Sequence, residues 1–99
     1  MMRRSFSIDF RRETASLVLD QGYTVPQACK AVGVGPTAVR RWVTQLHQER
    51  DGHTPKRSRA LTPEQQRIQA LEAQVQRLER EKKILKEATA LLMSGSLDR

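Results

Sequence analysis

Acid–base or metal chemistry needs carboxylates, histidines or cysteines gathered at ligand spacing, and this chain scatters them. Asp9, Asp20, Asp51 and Asp98 fall in separate segments. His47 and His53 have no cysteine or carboxylate cluster to complete a zinc site. Cys29, the single cysteine, sits among small apolar residues, where a buried hydrophobe is expected rather than a nucleophile. No glycine-rich phosphate cradle is present. The expectation is therefore no catalytic residue, no metal site and no cofactor. What the chain does concentrate is positive charge, 18 Lys and Arg against 11 Asp and Glu. Residues 1–60 hold eleven of these cations against five acids, and residues 61–99 hold seven against six. A surplus confined to one half points to a polyanionic partner. The candidate contacts are Thr37, Arg40, Arg41 and Thr44 in one short stretch, Arg3, Arg4, Arg11 and Arg12 near the start, and Lys56 and Arg57 in mid-chain.

The elements that must position these side chains are legible. In Thr24–Gln48, Thr24 and Gln27 have the spacing of a capping box, with Pro26 in the first turn. Gly33 suits the left-handed end of a short helix. Gly35 and Pro36 then restart the chain as N-cap and first helical residue. The second helix puts Val39, Trp42, Val43 and Leu46 on one face and Thr37, Arg40, Arg41 and Thr44 on the other. Two helices joined by a tight glycine-containing turn, with a basic outer face on the second, have the plan of a helix-turn-helix DNA reader. Arg40 or Arg41 could reach O6 and N7 of guanine, with phosphate contact as the alternative for either. Thr37 is placed for a base contact. The arginines near the start suit phosphate or the adjacent minor groove. The spacing of Trp42 assigns it to the core rather than to stacking on bases.

Upstream, Ser7 caps a helix from Ile8 to about Gln21, ended by Gly22. Three helices around Phe10, Leu17, Val18, Val25, Ala28, Val32, Val34, Val39, Trp42 and Leu46 make a trihelical domain near the lower size limit for independent stability. The 99 residues leave room for one small domain plus an appendage rather than a large enzyme with a deep cleft, and 37% hydrophobic and 4% aromatic residues keep any single core small. Glu49–Ala60 lacks apolar periodicity and carries Lys56, Arg57 and Arg59. It reads as a partly flexible linker, touching phosphate or merely solvated.

A long helix starts at Thr62, with Pro63 at its first position and Gln65 completing a capping box. Leu71, Leu78, Leu85 and Leu92 recur every seven residues. With these at d, the a positions are Leu61, Ile68, Val75, Lys82 and Thr89. β-branched residues at a and leucine at d favour a parallel two-stranded coiled coil, a homodimer or higher oligomer, with Lys82 pinning register. Arg67 would face Glu72, and Glu81 would face Lys86, across the partner helices. Lys82 and Thr89 leave the last two a positions polar, open to fraying or to completion by another chain. The alternative is one amphipathic helix folded back on the domain. Gly95 is expected to end the helix.

The fold expected is all-α: an N-terminal helix-turn-helix domain over residues 1–49, a basic linker over 50–61, a leucine-zipper helix over 62–93 and a disordered tail over 94–99. No apolar run approaches the ~20 residues of a membrane span, and the N-terminus lacks a signal core, so a cytoplasmic protein without a membrane partner is expected.

Taken in order, the opening RRSFSIDFRRETASLVLD, the stretch AVGVGPTAVRRWV and the repeat LEAQVQRLEREKKILKEATALL resemble the first-frame (OrfA) protein of two-frame insertion sequences in the IS-three family. The resemblance covers nearly the whole chain. Its most telling parts are the GV turn followed by Trp42, and Leu78–Leu92. It implies a bacterial, nucleoid-associated protein that binds the terminal inverted repeats of its element. It also implies hetero-oligomers, through the zipper, with a longer fusion transposase to which this chain is regulatory or accessory. The acidic metal-binding triad that strand transfer requires lies, in such transposases, on a separate domain. Gly35 stands where family members often have serine, at a cost of only a few tenths of a kcal/mol. A free-standing helix-turn-helix repressor and a coiled-coil adaptor are the alternative functions.

Overall fold

A computed structural model describes residues 5–97 and places four helices in order: α1 (Ile8–Leu19), α2 (Val25–Val32), α3 (Pro36–Arg50) and α4 (Pro63–Leu97). No strand occurs among the described residues. The chain divides into two units, one ending at Arg67 and the other beginning at Ile68.

In the first unit the start and stop signals act where their chemistry places them. The Ser7 hydroxyl accepts from Phe10 N at 3.0 Å. Thr24 and Gln27 form both halves of a capping box, at 3.2 and 2.9 Å. Gly33 takes φ 70°, a conformation open to glycine because it has no Cβ, and turns the chain between α2 and α3. Gly35 caps α3 with backbone alone, and Pro36 follows.

α1 and α2 pack against α3 around Ala15, Ala28, Val34, Val39, Trp42 and Leu46, all buried. Phe10, Leu17, Val18, Val25 and Val32 border that core half-buried. Phe6, not among the expected core residues, joins it. Its ring stacks on Phe10 at 5.1 Å and meets Trp42 edge-on at 5.3 Å, while Phe10 meets Trp42 at 6.0 Å. Thr14, buried, satisfies its hydroxyl on Phe10 O at 2.8 Å.

Two expectations are corrected here. Leu61 is not a heptad residue; it is fully buried in the head, beside buried Ala60. The linker is accordingly held rather than loose. The Glu49 carboxylate, 4% exposed, accepts from Leu61 N (2.9 Å), Thr62 N (2.8 Å) and the Thr62 hydroxyl (3.0 Å). Gln45 Nε2 donates to Glu49 and to Arg59 O, each at 2.7 Å. A buried carboxylate is costly unless donors surround it, and here four do. Thr62 caps α4 by accepting from Gln65 N at 3.2 Å, while the Gln65 side-chain carbonyl accepts the Thr54 hydroxyl at 3.1 Å.

A bidentate ion pair closes the other end of the head: Arg50 donates twice to Asp20, at 2.7 Å each. Those hydrogen bonds and the guanidinium charge hold the Asp20 carboxyl below its usual range, against partial desolvation. Its contribution is therefore present above the unfolded carboxyl pKa, about 3.9, and lost as pH falls through the lower folded value. Thermal melts from pH 7 to pH 2 should show a fall below about pH 4 that is shallower in Asp20→Asn. Identical acid profiles would show that the exposed pair contributes nothing.

In the second unit α4 places Ile68, Leu71, Val75 and Leu78 along one face, 43–55% exposed. Leu85 and Leu92 continue it at 67% and 73%. Leu78, Lys82, Leu85 and Thr89 line one shallow concavity, with Glu81 and Lys86 as its charged edges. Ile84 and Leu91 are exposed outside that a/d seam. The helix does not stop at Gly95. It continues to Leu97, and Gly95 lacks the left-handed φ of a helix end. Each further residue of a growing helix adds one hydrogen bond, and a lone glycine lowers that gain without reversing it. The expected loose tail is thus helical through Leu97, and residues 98–99 lie outside the described residues.

Candidate nucleic-acid interface

α3 separates its faces by function. Val39, Trp42 and Leu46 enter the core, and that anchoring leaves Thr37, Arg40, Arg41 and Thr44 together on the opposite side. These four line one groove of about 390 Å³. Gln45 and Gln48 from the same helix and Pro55 and Ser58 from the following loop complete its lining. Lys56 and Arg57 stand exposed in the turn between those two loop residues. Sequence reasoning brought the four outward residues of α3 together but missed Gln45, Gln48, Pro55 and Ser58. Nothing local in sequence shows that the loop folds beside the helix.

The N-terminal cations have mixed positions. Arg3 and Arg4 lie outside the described residues. Arg11 is half-buried, with a buried Nε that has no hydrogen-bond partner. Arg12, expected at phosphate, has its guanidinium hydrogen-bonded within the head. One nitrogen donates to Leu61 O and another to Asp9 Oδ1, both at 2.9 Å. Arg12 therefore ties α1 to the strap that precedes α4.

His47 Nε2 lies 3.8 Å from the Asp51 carboxylate, both exposed. Among the described residues no three or more His, Cys, Asp or Glu side chains gather where a metal ion could be held. No helix of the described residues is long and apolar enough to cross a membrane.

A trihelical head with a basic outward helix, followed by a long helix with a leucine seam, defines the helix-turn-helix class of DNA-binding proteins. The family model described as Transposase, a helix-turn-helix family, matches residues 1–83. Two relatives from Escherichia coli are each 52% identical to the chain. One is the putative transposase InsN for insertion sequence element IS911A, aligned over 90% of this chain and 66% of the relative. The other is the putative transposase InsN for insertion sequence element IS911B, aligned over 87% of this chain and 97% of the relative. The chain thus spans just under two thirds of the first relative's own length. No solved structure matches it. The chain belongs to this helix-turn-helix transposase family, among the first-frame proteins of IS-three insertion sequences.

Proposed function

We propose that the protein is a sequence-specific DNA-binding subunit of an insertion-sequence transposition system. In this reading it binds the terminal inverted repeats of its element and oligomerises through α4. α3 enters the major groove with Thr37, Arg40, Arg41 and Thr44 toward the bases. Copies join along Ile68, Leu71, Val75, Leu78, Lys82, Leu85 and Leu92, as homodimers and as hetero-oligomers with a longer fusion transposase. The chain's part is regulatory or accessory, with strand transfer carried out by that longer protein. The reading fits a protein of the cytoplasm and nucleoid.

The observation that carries this reading is the division of α3, buried apolar residues on one side and two arginines between two threonines on the other. A bidentate arginine–guanine contact discriminates by about 1–3 kcal/mol, roughly five- to 150-fold. Arg40→Ala with Arg41→Ala should therefore collapse the preference for the inverted repeats over shuffled duplex in competition gel shifts. Melting of the head should not change, since both side chains are exposed. Unaltered footprints would overturn the reading and leave a coiled-coil adaptor. Equal wild-type affinity for the repeats and for unrelated promoters would remove the link to transposition.

A further inference from the structure

The loop between α3 and α4 carries its charge into a fixed place. Before the turn, His53 N donates to Gln48 O at 3.2 Å, and the Thr54 hydroxyl to Gln65 at 3.1 Å. After it, Gln45 holds Arg59 O at 2.7 Å, and Glu49 gathers the backbone N–H groups of Leu61 and Thr62. Between these anchors Ser58 N donates to Pro55 O at 3.2 Å, closing a turn in which Arg57 has φ 66°. L residues avoid that conformation because Cβ crowds the neighbouring carbonyl oxygen. Glycine would relieve the crowding, yet an arginine occupies the position. A strained residue persists where its surroundings over-determine it, and such residues cluster at ligand clamps.

Pro55 and Ser58 line the groove together with the outward residues of α3, and Lys56 and Arg57 stand exposed in the turn between them, so both elements that border the groove carry cations. Glu49, the acid that anchors this turn, is buried and accepts from four donors, so its carboxylate is turned away from an anion in the groove. Resting on the DNA-binding reading above, we propose that the Pro55–Ser58 turn, set beside the base-facing side of α3, holds the sugar–phosphate strand that borders the major groove. Lys56 and Arg57 meet its phosphates, and the outward residues of α3 stay toward the bases. Glu49 acts as a positioning residue: it touches no DNA and sets where the turn stands. The ligand chemistry is phosphodiester, independent of sequence. The turn therefore contributes affinity and salt dependence, and the outward residues of α3 contribute the choice of site.

The test is fluorescence-anisotropy titration of the full chain at several salt concentrations, on an inverted-repeat duplex and on a shuffled one. Lys56→Ala with Arg57→Ala should weaken binding to both duplexes about equally, by roughly tenfold. The slope of log K against log salt should fall by about 0.9 for each phosphate that is no longer neutralised, so by one to two for the pair. Glu49→Gln keeps every cation yet should reproduce that loss, because an amide nitrogen replaces one carboxylate oxygen and must face a donor, Gln45 Nε2 on one side or the N–H groups of Leu61 and Thr62 on the other. Added to the Lys56 and Arg57 changes, it should cause no further loss. Hydrogen exchange at Ser58 and Leu61 reports whether the turn has been released. Where Glu49→Gln melts the head, Thr54→Ala loosens the same turn from its other anchor and carries the same expectation.

Wild-type affinity with a released turn would overturn the proposal. So would losses that add in full, or a salt slope unmoved by the Lys56 and Arg57 changes. Failure of the DNA reading itself looks different: the wild type would then show no repeat preference, and Arg40→Ala with Arg41→Ala would change nothing.

Discussion

Leu71→Ala combined with Leu78→Ala is expected to turn an associated chain into a monomer at micromolar concentration. Both leucines are about half exposed on an isolated α4, far more than side chains of their size are in a core. Pairing along the a/d seam would remove them from water. Truncating one buried leucine to alanine costs roughly 2–5 kcal/mol, and in a dimer the two substitutions remove four such side chains. Even if only two of these losses are felt at the low end, dissociation strengthens about a thousandfold, since each 1.4 kcal/mol is tenfold. The same exchange at Leu85 and Leu92 should cost much less. There the neighbouring a positions are Lys82 and Thr89, and the facing surface stays partly wet whether the leucines are present or not. Sedimentation equilibrium of the three proteins checks both statements. A wild type already monomeric with and without DNA would remove the zipper, and equal effects from the two pairs would remove its asymmetry.

Trp42→Ala should unfold the head while leaving α4 helical. Trp42 is 6% exposed and forms edge contacts with both Phe6 and Phe10, so it joins α3 to α1 and to the segment before it. Loss of a buried tryptophan costs about 3–5 kcal/mol. Stabilities run at roughly 0.05–0.15 kcal/mol per residue, so a head of this size has little more than that to lose. Circular dichroism should show a reduced helical signal at 25 °C, and the dispersed methyl resonances of the head should disappear from the NMR spectrum. Trp42→Phe keeps an aromatic edge and should melt lower but fold. If the alanine variant melts within a few degrees of wild type, the aromatic trio is not what holds the head together. DNA binding by the unfolded variant should vanish with the fold, which makes Arg40→Ala with Arg41→Ala the cleaner probe of contact.

The starts of the first three helices and the end of α2 were legible because short-range chemistry sets them, whereas α1 ends at Leu19, short of the expected Gln21. Ser7, Thr24 and Gln27 satisfy N–H groups three residues away, and Gly33 needs only its own missing Cβ. The two faces of α3 follow from helical periodicity alone, which is why the spacing of Thr37, Arg40, Arg41 and Thr44 suffices to put them on one side. Gly95 shows the limit of such signals. Glycine permits a helix end but does not enforce one, and α4 runs past it.

By itself, then, the order of residues determined the helices, their apolar stripes, the leucine spacing and the side on which the cations stand, since each depends on contacts within a turn or two. Only the folded chain decided that Leu61 belongs to the head, that Phe6 completes an aromatic trio, that Arg12 is occupied, and that Glu49 draws the basic loop alongside α3. Those pairings join residues 12 to 49 positions apart. Over such distances a buried carboxylate gathers its donors from whatever backbone the packing brings near, and no periodicity along the chain records the meeting.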